Sequence, residues 1–522
     1  FCAGPNTCGT RGAMMSVVAN SPANPFVSAP PQALPRVAPR LDRYSLAGWV
    51  TLAVGLFAAV VWATETLDAS FAVRTMNVIV PTYMLTALPF TAYLLVRSDP
   101  KMIWTPIVLF LAHTALFKGL GPLVFQFGNA ETIAYINDGI WARTHTEQLQ
   151  TNILNAVATS VIMVSACFVM RVRSVRRFAQ QKKNGNFLLD QKILMRTAIF
   201  FFVLGFVNRY AIVLPYEWGL TDTPPPGIAS TLKNLIDIGI ALIAYLSVRR
   251  GGSWTILFWI VFPMHVLTLM LDFRKSVVML AILLPAFTAY LAHGKPRRLM
   301  VWILSALLIY AAFSPFATYG RDMIIARGGE DVYNASLGDR VEIVENVLAN
   351  PEAFLAAANE RVRQGSWLRL DYSGPQAYVM REFDHGIVNP TLLDGLWRIV
   401  PRAIWPDKPT TSGPGRWFYQ YVTSSDRQAR VGVTFYADAY WNGGWTAVLL
   451  VCGVIGAFFG VSTALVMRWF RSSDFVMFPA ILLIADFALR GLNGWIQNSY
   501  SLIPYLLVYW ITVYGIRRMG SL

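Results

Sequence analysis

The strongest constraint on this chain is a series of apolar runs, each about twenty residues long and each interrupted by short polar stretches. Twelve can be placed, near 44–65, 76–96, 102–122, 152–171, 194–216, 229–248, 253–271, 275–293, 299–318, 445–467, 475–490 and 499–516. About twenty apolar residues is the length an α-helix needs to cross roughly 30 Å of hydrocarbon. Backbone groups in lipid must be satisfied within the spanning element, so such runs can only be helices. The expected fold is all-α: a polytopic integral membrane protein of about 12 transmembrane helices. With 55% hydrophobic and only 14% charged residues, the chain is too apolar for a soluble protein of 522 residues.

Charge then orients the spans. The formal charge of +15 would suit a nucleic-acid binder, but in a membrane protein Lys and Arg gather in cytoplasmic loops. Taking alternate loops as cytoplasmic places seven basic clusters on one side: Arg40/Arg43, Arg97/Lys101, the run 171–183, Arg249/Arg250, 295–298, Arg468/Arg471 and Arg517/Arg518. Both termini are then cytoplasmic. No nucleic-acid partner is expected, and membrane lipids are. Residues 1–43 read as a disordered cytoplasmic tail without a signal peptide, rich in Pro, Ala and Ser. The chain opens on Phe1, so Met14 or Met15 is the expected natural start. Spans 1 to 9 occupy 44–318, spans 10 to 12 occupy 445–522, and residues 319–444 form one large extracytoplasmic loop.

That loop is too long to be a connector. It carries Trp367, Trp397, Trp405, Trp417 and Trp441, which a disordered segment would lack. Asn350-Pro351-Glu352 reads as an N-cap and first turn, so part of the loop is expected to be helical. Between 361 and 430 ten basic residues face six acids, against the usual bias for an outer loop. Anionic ligands account for such a surplus, because Arg holds phosphate oxygens through two parallel hydrogen bonds. The densest block is WRIVPRAIWPDKPTTSG, 397–413, where Pro401, Pro406 and Pro409 dictate a stiff extended path. A structural belt at the headgroup level explains the same composition.

RLDY at 369–372, IVPRAIWPDKP at 399–409 and GVTFYADAYWNGGWTAV at 432–448 together resemble the bacterial O-antigen and exopolysaccharide repeat-unit polymerases (Wzy class). The specific part covers roughly 365–450; elsewhere the likeness is one of topology. Where members of the family often carry Asn-Phe-Gly before the span, this chain has Asn442-Gly443-Gly444. The resemblance implies a metal-independent inverting glycosyltransferase of the GT-C type in the bacterial cytoplasmic (inner) membrane. The donor would be an oligosaccharide on undecaprenyl pyrophosphate and the acceptor a second lipid-linked repeat unit. A chain-length regulator is an expected partner and no cofactor is expected. The block 399–409 implies Arg402 and Lys408 as pyrophosphate ligands, followed by Arg369 and Arg381. Asp371, Glu382, Asp384 and His385 are the candidates for the base that takes the acceptor proton.

Charges near span ends are candidates too, since intramembrane ionisable groups usually face protein or water. Lys118, Arg209 and Arg490 fall toward the loop side and are candidates to line the same pocket, with Arg490 pairing with Asp486 as the alternative. Lys118 reads as snorkelling to the interface, and Asp237 and His265 as satisfied internal polar groups. The five histidines show no metal-ligand spacing and the cysteines form no CxxC. Two other functions fit the same architecture: an O-antigen ligase that transfers glycan to lipid A core, and a non-enzymatic lipid-linked oligosaccharide flippase or transporter. Alkaline phosphatase fused after residue 390 is expected to be active and after residue 184 inactive. The reverse pattern would invert the topology.

Overall fold

The computed structural model describes residues 69–520, apart from 181–186, parts of 224–233, 327–334, 353, 356–366, parts of 390–395, 401–413 other than Trp405, 425–430, 473–476 and 501. Every regular element among them is helical. Eight helices are long and apolar enough to cross a membrane: α1 (Ala69–Ser98), α2 (Pro106–Phe127), α3 (His145–Arg171), α4 (Lys192–Glu217), α6 (Ser253–Met270), α7 (Lys275–His293), α8 (Arg297–Ile324) and α12 (Phe435–Arg471). Between α4 and α6 lies α5 (Leu235–Arg250). Its sixteen residues fall short of a full span, yet Ile236 to Leu246 are all buried. It is apolar all round because it runs through the middle of the bundle. The chain is therefore an α-helical membrane protein. Of the other expected spans, 44–65 lies outside the described residues. The run 475–490 forms a thirteen-residue helix, α13 (Phe478–Arg490), and the last forms α14 (Leu502–Gly520).

Two lobes make up the bundle. One packs α1, α2, α3 and α12 around Phe110, Leu154, Ile162 and Phe459. The other packs α4, α6 and α7 around α5, with α8 set against α7. A third cluster joins them, where α13 and α14 meet α4 and α5 through Phe201, Leu242, Ile481 and Tyr509. Lipid tails are as apolar as Leu, so helices in a bilayer associate through close packing of small residues. One close seam is α3 on α12. A Cβ added to Gly456 would lie 2.4 Å from the Ile162 carbonyl oxygen, and one on Gly460 would lie 2.8 Å from that of Ala166. These glycines are spaced as G-x-x-x-G, the spacing that lets two helix backbones touch. Ser165 donates to the Gly453 carbonyl at 2.7 Å and adds a hydrogen bond to the seam. Helix α8 is the opposite case, with only 11% of its apolar window buried and Leu304, Leu307 and Leu308 exposed.

The connections gather at two ends. Arg471 donates to the carbonyl of Ala179 at 3.0 Å and lies 4.0 Å from Asp99, which brings together the connections after α1, α3 and α12. At the other end the long loop folds onto the bundle. Helix α9 (Leu337–Ala349) opens with a capping box, Ser336 and Asp339 bonding each other's backbone N–H. Asn350, expected as an N-cap, closes this helix and also opens the next turn, accepting from Phe354 N at 3.1 Å. Next come α10 (Ser373–Asp384) and α11 (Pro414–Thr423). Of the block expected to be extended, Leu396–Ile399 is a 3-10 turn; Arg402 and Lys408 lie outside the described residues.

The tryptophans at this end are divided between a core and the surface. Trp441 and Trp495 are buried against Phe418, with ring centroids 5.7 and 5.4 Å away. Their indole N–H groups donate to the carbonyls of Ile387 and Val431, each at 2.9 Å. Trp405 and Trp417 stay exposed. At Gly443 and Gly444 α12 bends, Gly444 adopting φ +60°, a region where a Cβ is disfavoured. Replacing Gly456 with Ala is expected to cost about 1–3 kcal/mol by forcing the α3–α12 seam apart. Gly453→Ala, where a Cβ meets nothing within 4 Å, should leave thermal unfolding in detergent unchanged or slightly later.

Candidate functional site

The RLDY segment is seated directly on the loop end of α2. Trp367 donates its indole N–H to the Leu120 carbonyl at 2.9 Å. The following 3-10 turn, Leu368–Leu370, crosses Gly121 so closely that a Cβ there would lie 2.2 Å from the Leu370 oxygen. Only glycine admits that approach. Arg369, Asp371 and Tyr372 are thereby fixed at the rim of the bundle.

Asp371 turns inward and pairs with the Arg143 guanidinium, the two side chains being 1% and 2% exposed. Its other oxygen accepts from Ser373 N at 2.9 Å. Arg143 Nε donates to Gln148 Oε1 at 2.5 Å, and Gln148 Nε2 donates to Ser373 Oγ at 3.2 Å and Asn152 Oδ1 at 3.1 Å. Asn152 in turn donates to Asn77 at 3.0 Å. A second amide pair, Asn155 with Gln376, continues to Thr434 Oγ1 at 2.7 Å. Buried polar groups need such partners. These are spent on fastening α10 to α3, α1 and α12.

The rim carries a surplus of positive charge. Lys275 Nζ donates to Ser314 Oγ at 2.6 Å and Thr318 Oγ1 at 2.8 Å. The Arg369 and Arg321 guanidinium groups act on that ammonium, opposed by Asp322. Arg369, Arg321 and Asp322 thus all lie within electrostatic reach of Lys275. Arg369 is exposed. Like charges held together on a protein surface repel, and an arriving anion relieves that repulsion.

Lys118 differs from its expected role. It lies on a π-helical turn, Ala115–Leu120. The side chain is 3% exposed and does not snorkel to the interface. Its ammonium sits 4.8 Å from the Tyr372 ring centroid and has no hydrogen-bond partner. The Tyr372 phenol is pushed up by burial in the same place.

Arg209 also occupies a π turn, Val207–Val213, but it is fully paired, to Asp272 at 2.6 Å and Glu217 at 2.9 Å. Arg274 reaches the same Asp272 oxygen at 2.9 Å. Arg340 of α9 lies 3.7 Å from Asp272 and donates to the Leu271 carbonyl at 2.7 Å. Burial alone would raise the Asp272 carboxyl; the surrounding Arg209, Arg274 and Arg340 outweigh it and hold it below its ordinary range. This cluster docks α9 on the bundle. Asp237 and His265 bond each other at 2.9 Å, and Tyr210 closes on the other imidazole nitrogen at 2.9 Å.

The remaining candidates lie on α10 and beyond. Arg381 pairs with Glu147 at 2.9 Å, half in water. Glu382 accepts from the Tyr421 hydroxyl at 3.1 Å, and Asp384 from that of Tyr440 at 3.0 Å. His385 follows at the exposed C-cap. Asp371 is thus separated from the other base candidates: each of its oxygens is already bonded, whereas Glu382, Asp384 and His385 cluster at the water-facing end of α10. The Arg490 side chain lies outside the described residues. Arg143, Lys275 and Arg321 were not singled out from the sequence, although Asp272-Phe273-Arg274-Lys275 places two cations in a connection where the positive-inside rule disfavours them. No family model, curated protein or solved structure matches the chain.

Removing one member of a buried ion pair strands the other charge. Arg143→Ala and Asp371→Leu are each expected to lose about 3–5 kcal/mol. The Arg143→Met/Asp371→Leu double variant should recover most of that loss in the same unfolding measurement.

Proposed function

We propose that this chain is a membrane glycosyltransferase that polymerises undecaprenyl-pyrophosphate-linked oligosaccharide repeat units into O-antigen or exopolysaccharide. In this reading it has twelve spans in a GT-C-like arrangement in the bacterial inner membrane, and it acts on the periplasmic face. The observation that carries it is the convergence of Lys275, Arg321 and Arg369 at the loop end of the bundle, joined to a turn whose sequence resembles that polymerase family.

The acceptor sugar hydroxyl attacks the donor's anomeric carbon from the face opposite the pyrophosphate. The new C–O bond forms as the bond to pyrophosphate breaks, so the configuration inverts. Negative charge grows on the leaving group, and cations already fixed at that point stabilise the transition state more than the ground state. Arg369 is exposed and free of the structural pairing that occupies Arg143 and Arg209. Arg402 and Lys408 join the pyrophosphate group in this reading. The acceptor proton passes to a carboxylate or imidazole of the Glu382, Asp384 and His385 group, which faces water at the end of α10. Donor and acceptor both remain anchored in lipid, which suits a site at the rim.

In a strain deleted for the gene, lipid-linked and surface glycan should be a single repeat unit, and the wild-type chain should restore a ladder. Arg369→Ala or Lys275→Ala, at wild-type membrane levels, is expected to cut polymerisation by about 10²-fold or more and leave single units. A ladder that persists in the deletion strain but fails to reach the surface would favour the ligase or flippase reading instead.

A further inference from the structure

Among the described residues, the fully buried cations are matched, with one exception. Arg143 has Asp371, and Arg209 has Asp272 and Glu217. Lys275 has two hydroxyls. Lys118 has none: its three donors are desolvated and unused. The nearby carboxylate, Asp371, already gives its oxygens to Arg143 and to Ser373 N.

The surroundings of Lys118 have a distinct chemistry. Phe117 and Tyr372 stand edge to face with centroids 6.0 Å apart. His113 stacks on Phe117 at 4.4 Å and bonds the Asn493 amide at 2.9 Å. The Asn493 oxygen is itself buried without a partner. One cationic donor and two aromatic rings therefore gather beneath the RLDY turn, and His113 links Phe117 to the open amide acceptor of Asn493. A single compact charge beside aromatic faces does not match pyrophosphate, whose several charges suit the Lys275, Arg321 and Arg369 group. It matches a sugar ring bearing one carboxylate, its C–H face on an aromatic ring, its acid on the ammonium and a hydroxyl on Asn493. The π turn is the local distortion that brings Lys118 inward, and such turns concentrate at functional sites.

We propose that Lys118, with Tyr372 as its movable cover, forms a subsite for an acidic sugar, a hexuronate residue of the repeat unit. The subsite rests on the reading of the substrate as a lipid-linked glycan and narrows that substrate to one carrying a carboxylate. The Tyr372 ring swings away from the ammonium as the uronate enters.

Purified wild type, Lys118→Met and Lys118→Arg in detergent are heated with glucuronate, glucose or inorganic pyrophosphate, and the shift in unfolding temperature is titrated. Glucuronate is expected to stabilise the wild type where glucose does not. Lys118→Met should bind it at least about tenfold more weakly, while Lys118→Arg retains part of the affinity. Without ligand, Lys118→Met should be as heat-stable as wild type or more so, because it removes an unmatched buried charge. Pyrophosphate should stabilise wild type and Lys118→Met alike. Equal glucuronate shifts in wild type and Lys118→Met, no glucuronate shift, or equal response to glucose would overturn the subsite. Loss of the pyrophosphate response in Lys118→Met would also overturn it and assign Lys118 to the donor phosphates. A strongly destabilised Lys118→Met would make the residue structural. These titrations need no polymerisation, so their failure is separable from that of the glycan ladder.

Discussion

Charge neutralisation at the rim of an apolar bundle is what the rest of this structure depends on. A guanidinium withdrawn from water is tolerated only where a carboxylate and further hydrogen bonds meet it. Two such sites tie the long loop down. Arg143 and Asp371 join the stretch before α3 to the stretch before α10. Asp272 gathers Arg209, Arg274 and Arg340, so that α4, the α6–α7 connection and α9 meet at one carboxylate. These pairs act together with the buried amide network of α10 and the packing of Trp441 and Trp495 on Phe418, which also hold the loop layer to the bundle. At the same rim stand Lys275, held by Ser314 and Thr318, and Arg369, on the turn that crosses Gly121.

The bundle beneath serves as a rigid floor. Close glycine contacts fix α12 on α3, and the buried α5 organises the second lobe. Helices near these seams cannot shift without collision, whereas α8 lies largely against lipid. The charged rim is therefore built partly on fixed elements, α2 and α3, and partly on the outlying α8 that carries Arg321.

Much of this arrangement was legible in the residues. Long apolar runs marked the eight helices that are long and apolar enough to span, because helix is the only spanning structure open to them. Tryptophan content spoke for order in the long loop, and its described residues include α9, α10 and α11. The capping box Ser336 to Asp339 was readable but passed over. The pairing of Arg143 with Asp371 was not readable, since 228 residues separate them and nothing local in either segment points to the other. Lys118 was misread for a physical reason. In a regular α-helix a lysine near a span end extends to the interface, but the π turn rotates this one beneath Tyr372. Asn350 satisfied the pattern for a helix start while also ending α9, because a residue between two helices serves both.

The bend at Gly443 and Gly444 has a mechanical side. Residues 435–442 belong to the loop layer and hold Asp438, Tyr440 and Trp441, whereas the glycine seam lies below the bend. Helix α3 has no such joint: one uninterrupted rod runs from Glu147 and Gln148 in the polar layer to Ile162 and Ala166 at the seam. Of the two elements that cross from loop to bilayer side by side, one is a hinged arm and the other a strut.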